Sequence, residues 1–358
     1  MRPFLRTGLL ICGVGAVCAG AYFAGQYFTR SLQQPTEITS ASSVHRSVVE
    51  FLNTTDKETR VQAVRATKEA FLQATTSIDR AHTLNVLVGM AHAVHEEYVY
   101  EEIFTGPPFD RFATDDQTRS LDDLAIYSFS IYPTAYAAQI SVYANRHTIY
   151  DAFFNEDQAT DRAAMRKKYE PNFRRILWAY EEAEKWIGRD VMDATTPEEA
   201  LTTLVVFYQW QGHLLSDLAI GDPSYFDAAQ RDLEKGILYA KSMRDTNGKT
   251  LPYLDSKIAE MQLSIASYSA ERGKIYGQQE LIDRGRTYSE EVVRRLRSEP
   301  EKYNLFYTLL KLEKESQEAD RAGNHIQHTA HERNTLRPFW RFALLATIDP
   351  SMKDFLQE

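Results

Sequence analysis

The sequence predicts an all-α fold, in which one N-terminal transmembrane helix precedes an α-solenoid or a layered antiparallel helical domain. Three observations support this class: a long uncharged apolar run near the N-terminus, a ladder of prolines at helix starts, and no sustained two-residue alternation typical of strands. The chain has 358 residues, of which 43% are hydrophobic. This content is too high for a mainly disordered protein and sufficient for a large core.

Residues 8–29 are predicted to form a transmembrane signal-anchor helix. The run from Gly8 to Phe28 contains no Asp, Glu, Lys, Arg or His. As a helix it would be roughly 32 Å long, which matches a bilayer hydrocarbon core of ~30 Å.

The flanking charges orient this helix. Arg2 and Arg6 precede it and Arg30 follows it, which favours a cytoplasmic N-terminus at residues 1–7 and an exported body. A cleaved signal peptide is the alternative, and it exports the body as well. We therefore expect an extracytoplasmic protein, attached to a bacterial inner membrane or cell surface.

Small residues recur at every fourth position of the predicted membrane helix. Such spacing lets two helix backbones approach closely, as in the small-xxx-small dimer motif. It predicts a helix-packing face and a homodimer formed through the membrane segment, with these residues at the contact: Gly8, Cys12, Ala16, Gly20 and Ala24.

Beyond a polar linker at residues 30–44, the region 45–358 is predicted to form one extracytoplasmic helical domain. Prolines 171, 197, 223 and 252 mark helix starts spaced for long helices joined by short turns, which makes neighbours antiparallel. Another helix is predicted from Pro133 through Phe154. The interval from Pro252 to Pro300 has room for two helices, with a break near Gly273 or Gly277.

Residues 201–243 resemble tetratricopeptide-type helical repeats. The resemblance rests on Gly212 in the first helix, on a Gly221-Asp222 turn, and on the small–bulky–small series Ala229, Leu233 and Gly236 in the second. The helix pairs here are longer than the ~34 residues of a tetratricopeptide unit. The resemblance implies a groove that binds peptides or partner proteins without catalysis.

Three histidines near the C-terminus are a weak candidate for a metal site. His325, His328 and His331 lie on one side of a predicted helix, where neutral imidazoles can bind Zn²⁺ or Cu²⁺. The outer two are about 9 Å apart along the axis at ~1.5 Å rise per residue, too far to share one ion easily. A polar helix face is therefore favoured, and no metal or other cofactor is expected.

Known catalytic motifs are incomplete. The zincin-like start at His95-Glu96 has Val99 where the second histidine is required, and the P-loop-like Gly248-Lys249-Thr250 has Met243 where a glycine is required. Both cysteines lie in the membrane segment, so the body has no thiol for catalysis, disulfides or zinc. Adjacent acids could supply a general acid and base, although such pairs are usually solvated: Glu96-Glu97, Glu101-Glu102, Asp115-Asp116 and Asp122-Asp123.

Charge and aromatic content narrow the class of partner. The chain has 41 basic and 50 acidic residues, and it has no basic stripe, so nucleic acid is not expected to bind. Twenty tyrosines can line wet grooves, because each offers apolar area and a hydroxyl. The sequence thus favours a membrane-anchored scaffold for a protein or peptide, non-catalytic, over an exported small-ligand-binding component of a transport system or a cell-envelope hydrolase.

Overall fold

A computed structural model describes residues 40–94, 96–154, 162–194, 196–243 and 252–298. These residues are helical with no β-strand, which confirms the all-α prediction for them. Short 3₁₀ turns at Asp110–Phe112 and Pro223–Tyr225 connect some of the following helices: α1 (Ser40–Leu52), α2 (Lys57–Gln73), α3 (Ser77–Val94), α4 (Glu97–Phe104), α5 (Gln117–Ile131), α6 (Ala135–Ile140), α7 (Tyr143–Phe154), α8 (Arg162–Lys168), α9 (Glu170–Met192), α10 (Pro197–Gly221), α11 (Phe226–Ser242), α12 (Pro252–Tyr276) and α13 (Gln279–Ser298).

Most of the proline positions mark helix starts as predicted. Pro171 lies in the first turn of α9, Pro197 follows the Thr196 N-cap of α10, and Pro252 is the first residue of α12. Pro223 differs, because it begins the 3₁₀ turn, and α11 starts three residues later at Phe226. The fixed φ of proline suits the first turn of a 3₁₀ helix as well as that of an α-helix.

The helix predicted from Pro133 to Phe154 is divided in two. The chain turns at residues 141–142, between α6 and α7. The Asp122 carboxylate on α5 accepts hydrogen bonds from the Ala144 backbone N–H at 3.0 and 3.1 Å, and so caps a new helix at this point. The position of a proline shows where a helix can begin. The division between α6 and α7 was not predicted, because it depends on Asp122, which is more than twenty positions away in the sequence.

Two further boundaries are placed by the structure. The break between α12 and α13 falls at Gly277, whose φ of +66° favours glycine. Helix α1 begins at Ser40, so it includes the last residues of the predicted linker at 30–44.

Helices α9 to α13 alternate in direction. Phe173, near the start of α9, lies against Gly221 at the end of α10, and Gly236 of α11 lies against Val205 near the start of α10. Every second helix is therefore parallel. Two residues of α10, one in its middle and one nearer its end, contact α12 in the same order along the chain. Lys257 Nζ donates to Gln209 Oε1 (3.0 Å), and Arg272 Nη2 donates to the Ser216 carbonyl (3.0 Å).

Helices α1 to α6 contribute to one hydrophobic core, and the later helices pack in smaller clusters, most of which include residues of α10. The first core contains large buried side chains that include Phe51, Phe71, Leu84 and Leu124. All ten residues 211–220 of α10 are buried, so this helix has neighbours on every side.

In the part of the chain that the structure describes, no helix combines the length and hydropathy needed to span a bilayer. The predicted membrane helix at residues 8–29 and the small residues Gly8, Cys12, Ala16, Gly20 and Ala24 lie outside the described residues.

Candidate functional site

Helices α9, α10 and α11 each contribute one tyrosine to a group of neighbouring side chains at the surface. We call this group the tyrosine face. It consists of Tyr180 and Glu184 of α9, Tyr208 of α10, and Asp232, Lys235 and Tyr239 of α11. The rings of Tyr208 and Tyr239 are nearly parallel, with centroids 5.6 Å apart and an interplanar angle of 7°. All three tyrosines are partly exposed, so the face presents aromatic area to solvent.

The helices behind the tyrosine face are fixed by buried amide groups. Gln211 of α10 donates to the Tyr180 carbonyl at 3.1 Å and accepts from Gln139 of α6 at 3.0 Å. Gln139 also donates to the Phe207 carbonyl at 3.2 Å. This chain of hydrogen bonds ties α6, α9 and α10 together directly beneath Tyr180 and Tyr208.

A glycine of α11, close to the tyrosine face, leaves room for a side chain of α12. A Cβ at Gly236 would lie 2.7 Å from the Met261 sulfur and 3.5 Å from Tyr208 Cβ. The missing side chain leaves room for Met261 of α12, while Tyr208 of α10 lies at an ordinary contact distance from α11 here.

Charged groups surround the three rings. The Tyr180 hydroxyl donates to Glu184 at 3.0 Å. Lys235 Nζ lies 5.0 Å from the centroid of the Tyr208 ring and donates to Asp232 at 3.1 Å. The Lys235 side chain is therefore held by a cation–π contact and an ion pair at once, although it remains 52% exposed.

These groups interact electrostatically. Burial, followed by the charges of Asp232 and Glu184, raises the pKa of Tyr180, and burial likewise raises the pKa of Tyr208 against the effect of Lys235. Burial raises the pKa of Asp232, against its hydrogen bond from Lys235. Burial acts to lower the pKa of Lys235, but the hydrogen bond and charge of Asp232 outweigh it, so the pKa is raised. At neutral pH the Tyr180 and Tyr208 rings are uncharged and Lys235 is a cation.

A second group of polar residues lies inside the protein, between α7, α10 and α12. The guanidinium of Arg146 donates to the Asp217 carboxylate, and their side chains are only 19% and 5% exposed. Four residues earlier on α10, His213 Nδ1 lies 2.7 Å from the Tyr268 hydroxyl. Burial raises the pKa of Asp217, against the charge of Arg146. Since these groups are enclosed, we assign them a structural role that fixes the three helices in register.

One cavity in the described residues lies on the other side of α9. Its volume is about 350 Å³, and it is lined by Glu170, Pro171, Arg174, Arg175 and Trp178. The guanidinium of Arg175 stacks 3.8 Å from the Trp178 ring centroid, and burial lowers the pKa of Arg175. Volumes of this size are at the lower limit for small-ligand sites.

The histidines and acids named from the sequence are dispersed. His325, His328 and His331 lie outside the described residues, and within those residues no group of three or more His, Cys, Asp or Glu side chains could hold a metal ion. His92 packs on the Tyr143 ring, with centroids 3.9 Å apart. Of the acid pairs, Asp116 is an exposed N-cap, but Asp122 is 3% exposed. The expectation that such acids are solvated is therefore wrong for Asp122.

Sequence reasoning missed the tyrosine face. The tyrosine count does not show which tyrosines share a surface, and Tyr208 and Tyr239 are 31 positions apart on different helices. The local signals are the i, i+4 spacing of Tyr180 and Glu184 and the i, i+3, i+7 spacing of Asp232, Lys235 and Tyr239, each of which places residues on one helix face.

Comparison of the chain with protein-family models, curated proteins and solved structures finds no match in any of the three.

Proposed function

We propose that this protein is a membrane-anchored, extracytoplasmic helical-repeat scaffold that binds a protein or peptide partner without catalysis of its own. In this proposal residues 8–29 anchor the chain with the N-terminus in the cytoplasm. The helices of the body form a tetratricopeptide-like solenoid, and the partner binds at the tyrosine face.

The observation that supports this function is the tyrosine face itself. Three neighbouring helices each place a partly exposed tyrosine beside charged side chains. Protein interfaces are enriched in tyrosine, because its ring supplies contact area at low conformational cost and its hydroxyl can hydrogen-bond at a wet boundary.

The arrangement of α9 to α13 supports the repeat part of the proposal. Each helix packs antiparallel to the one before it, so every second helix is parallel, as in stacked helix pairs. Side chains from α9, α10 and α11 then form one surface, which is the usual position of a partner in a helical-repeat protein.

Site-specific photo-crosslinking tests the scaffold function. Benzoylphenylalanine replaces Leu238, which adjoins the tyrosine face and is 67% exposed, or Leu72 on α2, which is 58% exposed. The two positions match in residue type and exposure. In cells producing the full-length chain, we expect one discrete protein adduct in the membrane fraction from position 238 and none from position 72.

Equal labelling from the two positions, or no adduct at position 238, would contradict the scaffold function at this surface. Recovery of the full-length chain in the soluble cytoplasmic fraction would contradict the proposed anchoring.

A further inference from the structure

The charge around the tyrosine face restricts the chemistry of its partner. Between residues 170 and 243 the sequence has 13 acidic and 7 basic residues. At the face itself, Glu184 is exposed and lies beside Tyr180, and Asp232 of α11 raises the pKa of the same tyrosine. An acidic segment of a partner would be repelled here, whereas a basic one would be attracted.

The protein already contains one example of the contact that a basic partner would make. Lys235 places its ammonium group 5.0 Å from the Tyr208 centroid and donates a hydrogen bond of 3.1 Å to the Asp232 carboxylate. A neutral aromatic ring attracts a cation through its quadrupole, and a nearby carboxylate adds to this attraction. The site therefore has the features of a lysine- or arginine-binding site. In this structure it is occupied by Lys235, which lies on the same helix as Asp232.

This occupancy is exchangeable. The Lys235 side chain is 52% exposed, whereas that of Asp232 is only 9% exposed, so this carboxylate needs a cation beside it. A partner's cation that forms the same ion pair can take the place of Lys235 over the ring without leaving Asp232 unpaired. Because burial raises the pKa values of Tyr180 and Tyr208, both phenols stay neutral and remain able to receive it.

We infer that the tyrosine face binds a lysine- or arginine-bearing segment of a protein partner, with one cation over the Tyr208 ring between Glu184 and Asp232. This inference rests on the proposed scaffold function and specifies the partner. Lys235 acts in it as an internal competitor that lowers the affinity for other cations.

Fluorescence anisotropy tests the inference with the full-length chain in nonionic detergent at physiological salt. The probes are fluorescein-labelled ten-residue peptides of alternating lysine and alanine, or of alternating glutamate and alanine. We expect the lysine peptide to bind at least about tenfold more tightly than the glutamate peptide.

Two pairs of charge variants separate the tyrosine face from general attraction to an acidic protein. Glu184→Gln should weaken binding of the lysine peptide about three- to tenfold, whereas Glu181→Gln, the same change at another exposed position of α9, should alter it less than about twofold. Lys235→Gln should strengthen binding about threefold, and Lys241→Gln, at the exposed end of α11, should not.

The ring is tested by a third pair. Tyr208→Leu should weaken binding about fivefold, while Tyr208→Phe, which keeps the ring, should stay within about twofold of the original protein. Far-UV circular dichroism and the unfolding midpoint of each variant show that the fold is retained.

The inference is overturned if Glu184→Gln and Glu181→Gln have equal effects, if Lys235→Gln weakens binding, or if the glutamate peptide binds as tightly as the lysine peptide. If these results occur while the crosslink from position 238 still forms, the scaffold function stands and only the basic partner is excluded. If no crosslink forms at position 238, the scaffold function itself fails.

Discussion

Two glycines in the long helices differ in the space around them. One lies against a neighbouring helix, and the other lies in open space. At Gly212 of α10, an added Cβ would lie 2.5 Å from Leu233 Cγ and 3.0 Å from the Ala229 carbonyl oxygen of α11. At Gly188 of α9, no atom lies within 4 Å of that position. The first glycine is required by packing, and the second only costs helix propensity.

We therefore expect Gly212→Ala and Gly188→Ala to change stability in opposite directions. Gly212→Ala should destabilise the protein by about 1–2 kcal/mol, because overpacking outweighs the gain in helix propensity. Gly188→Ala should stabilise it by up to about 1 kcal/mol. Denaturant unfolding followed by circular dichroism measures both, and stabilisation by both variants would contradict the close packing of α10 on α11.

At the scale of elements, two short helices begin at buried carboxylates supplied from elsewhere in the chain. Asp122 of α5 caps α7, and Asp190 of α9 accepts from the backbone N–H groups of Ala135 (3.0 Å) and Tyr136 (3.4 Å) at the start of α6. Burial raises the pKa of each carboxyl to about 7, although the backbone hydrogen bonds oppose the shift.

These two pKa shifts predict a pH dependence of stability. Because the folded-state pKa of about 7 exceeds the unfolded value of 3.8, their stabilising contribution is complete below pH ~4 and is lost as the pH rises through about 7. We expect the double variant Asp122→Asn, Asp190→Asn to lose less stability than the original protein between pH 5 and pH 8, as measured by urea unfolding at both pH values.

Asp56 provides the control for this measurement. It is an exposed N-cap whose hydrogen bonds with Thr59 lower its pKa below 3.8. Its contribution is present above pH ~4 and is lost only on further acidification, so Asp56→Asn should leave the change between pH 5 and pH 8 as it was. An unchanged slope in the double variant would show that Asp122 and Asp190 do not titrate in this range.

The sequence predicted those elements whose signals are local. Pro171, Pro197 and Pro252 lie at helix starts because a fixed φ and a missing N–H suit the first turn whatever surrounds it. The division between α6 and α7 was not predicted, because it depends on Asp122 from another helix. The tyrosine face was missed for the same reason, since the packing of α11 on α10 brings Tyr239 to Tyr208.

At the scale of the whole molecule, a buried ion pair connects helices far apart in sequence. Arg146 of α7 pairs with Asp217 of α10, and Arg272 of α12 donates to the carbonyl of the adjacent Ser216. Removing one member of a buried pair leaves the other charged and desolvated, which costs far more than the loss of a surface pair.

Asp217→Asn is therefore expected to destabilise the protein by about 3–5 kcal/mol. Glu170→Gln, which breaks the pair between the exposed side chains of Glu170 and Arg174, should change stability by no more than ~1 kcal/mol. Thermal or denaturant unfolding distinguishes the two values. If both variants changed the free energy of unfolding by no more than ~1 kcal/mol, the ion pair between Arg146 and Asp217 would not be important for stability.

The enclosure of α10 also determines how short a fragment can fold. On the side that faces α12, Gln209 of α10 accepts from Lys257, His213 forms a hydrogen bond with Tyr268, and the Ser216 carbonyl accepts from Arg272. A chain that stops after α11 would lack these three hydrogen bonds and would expose this side of α10 to water. During synthesis, the middle of the protein would thus reach its native environment only after Tyr276 has left the ribosome.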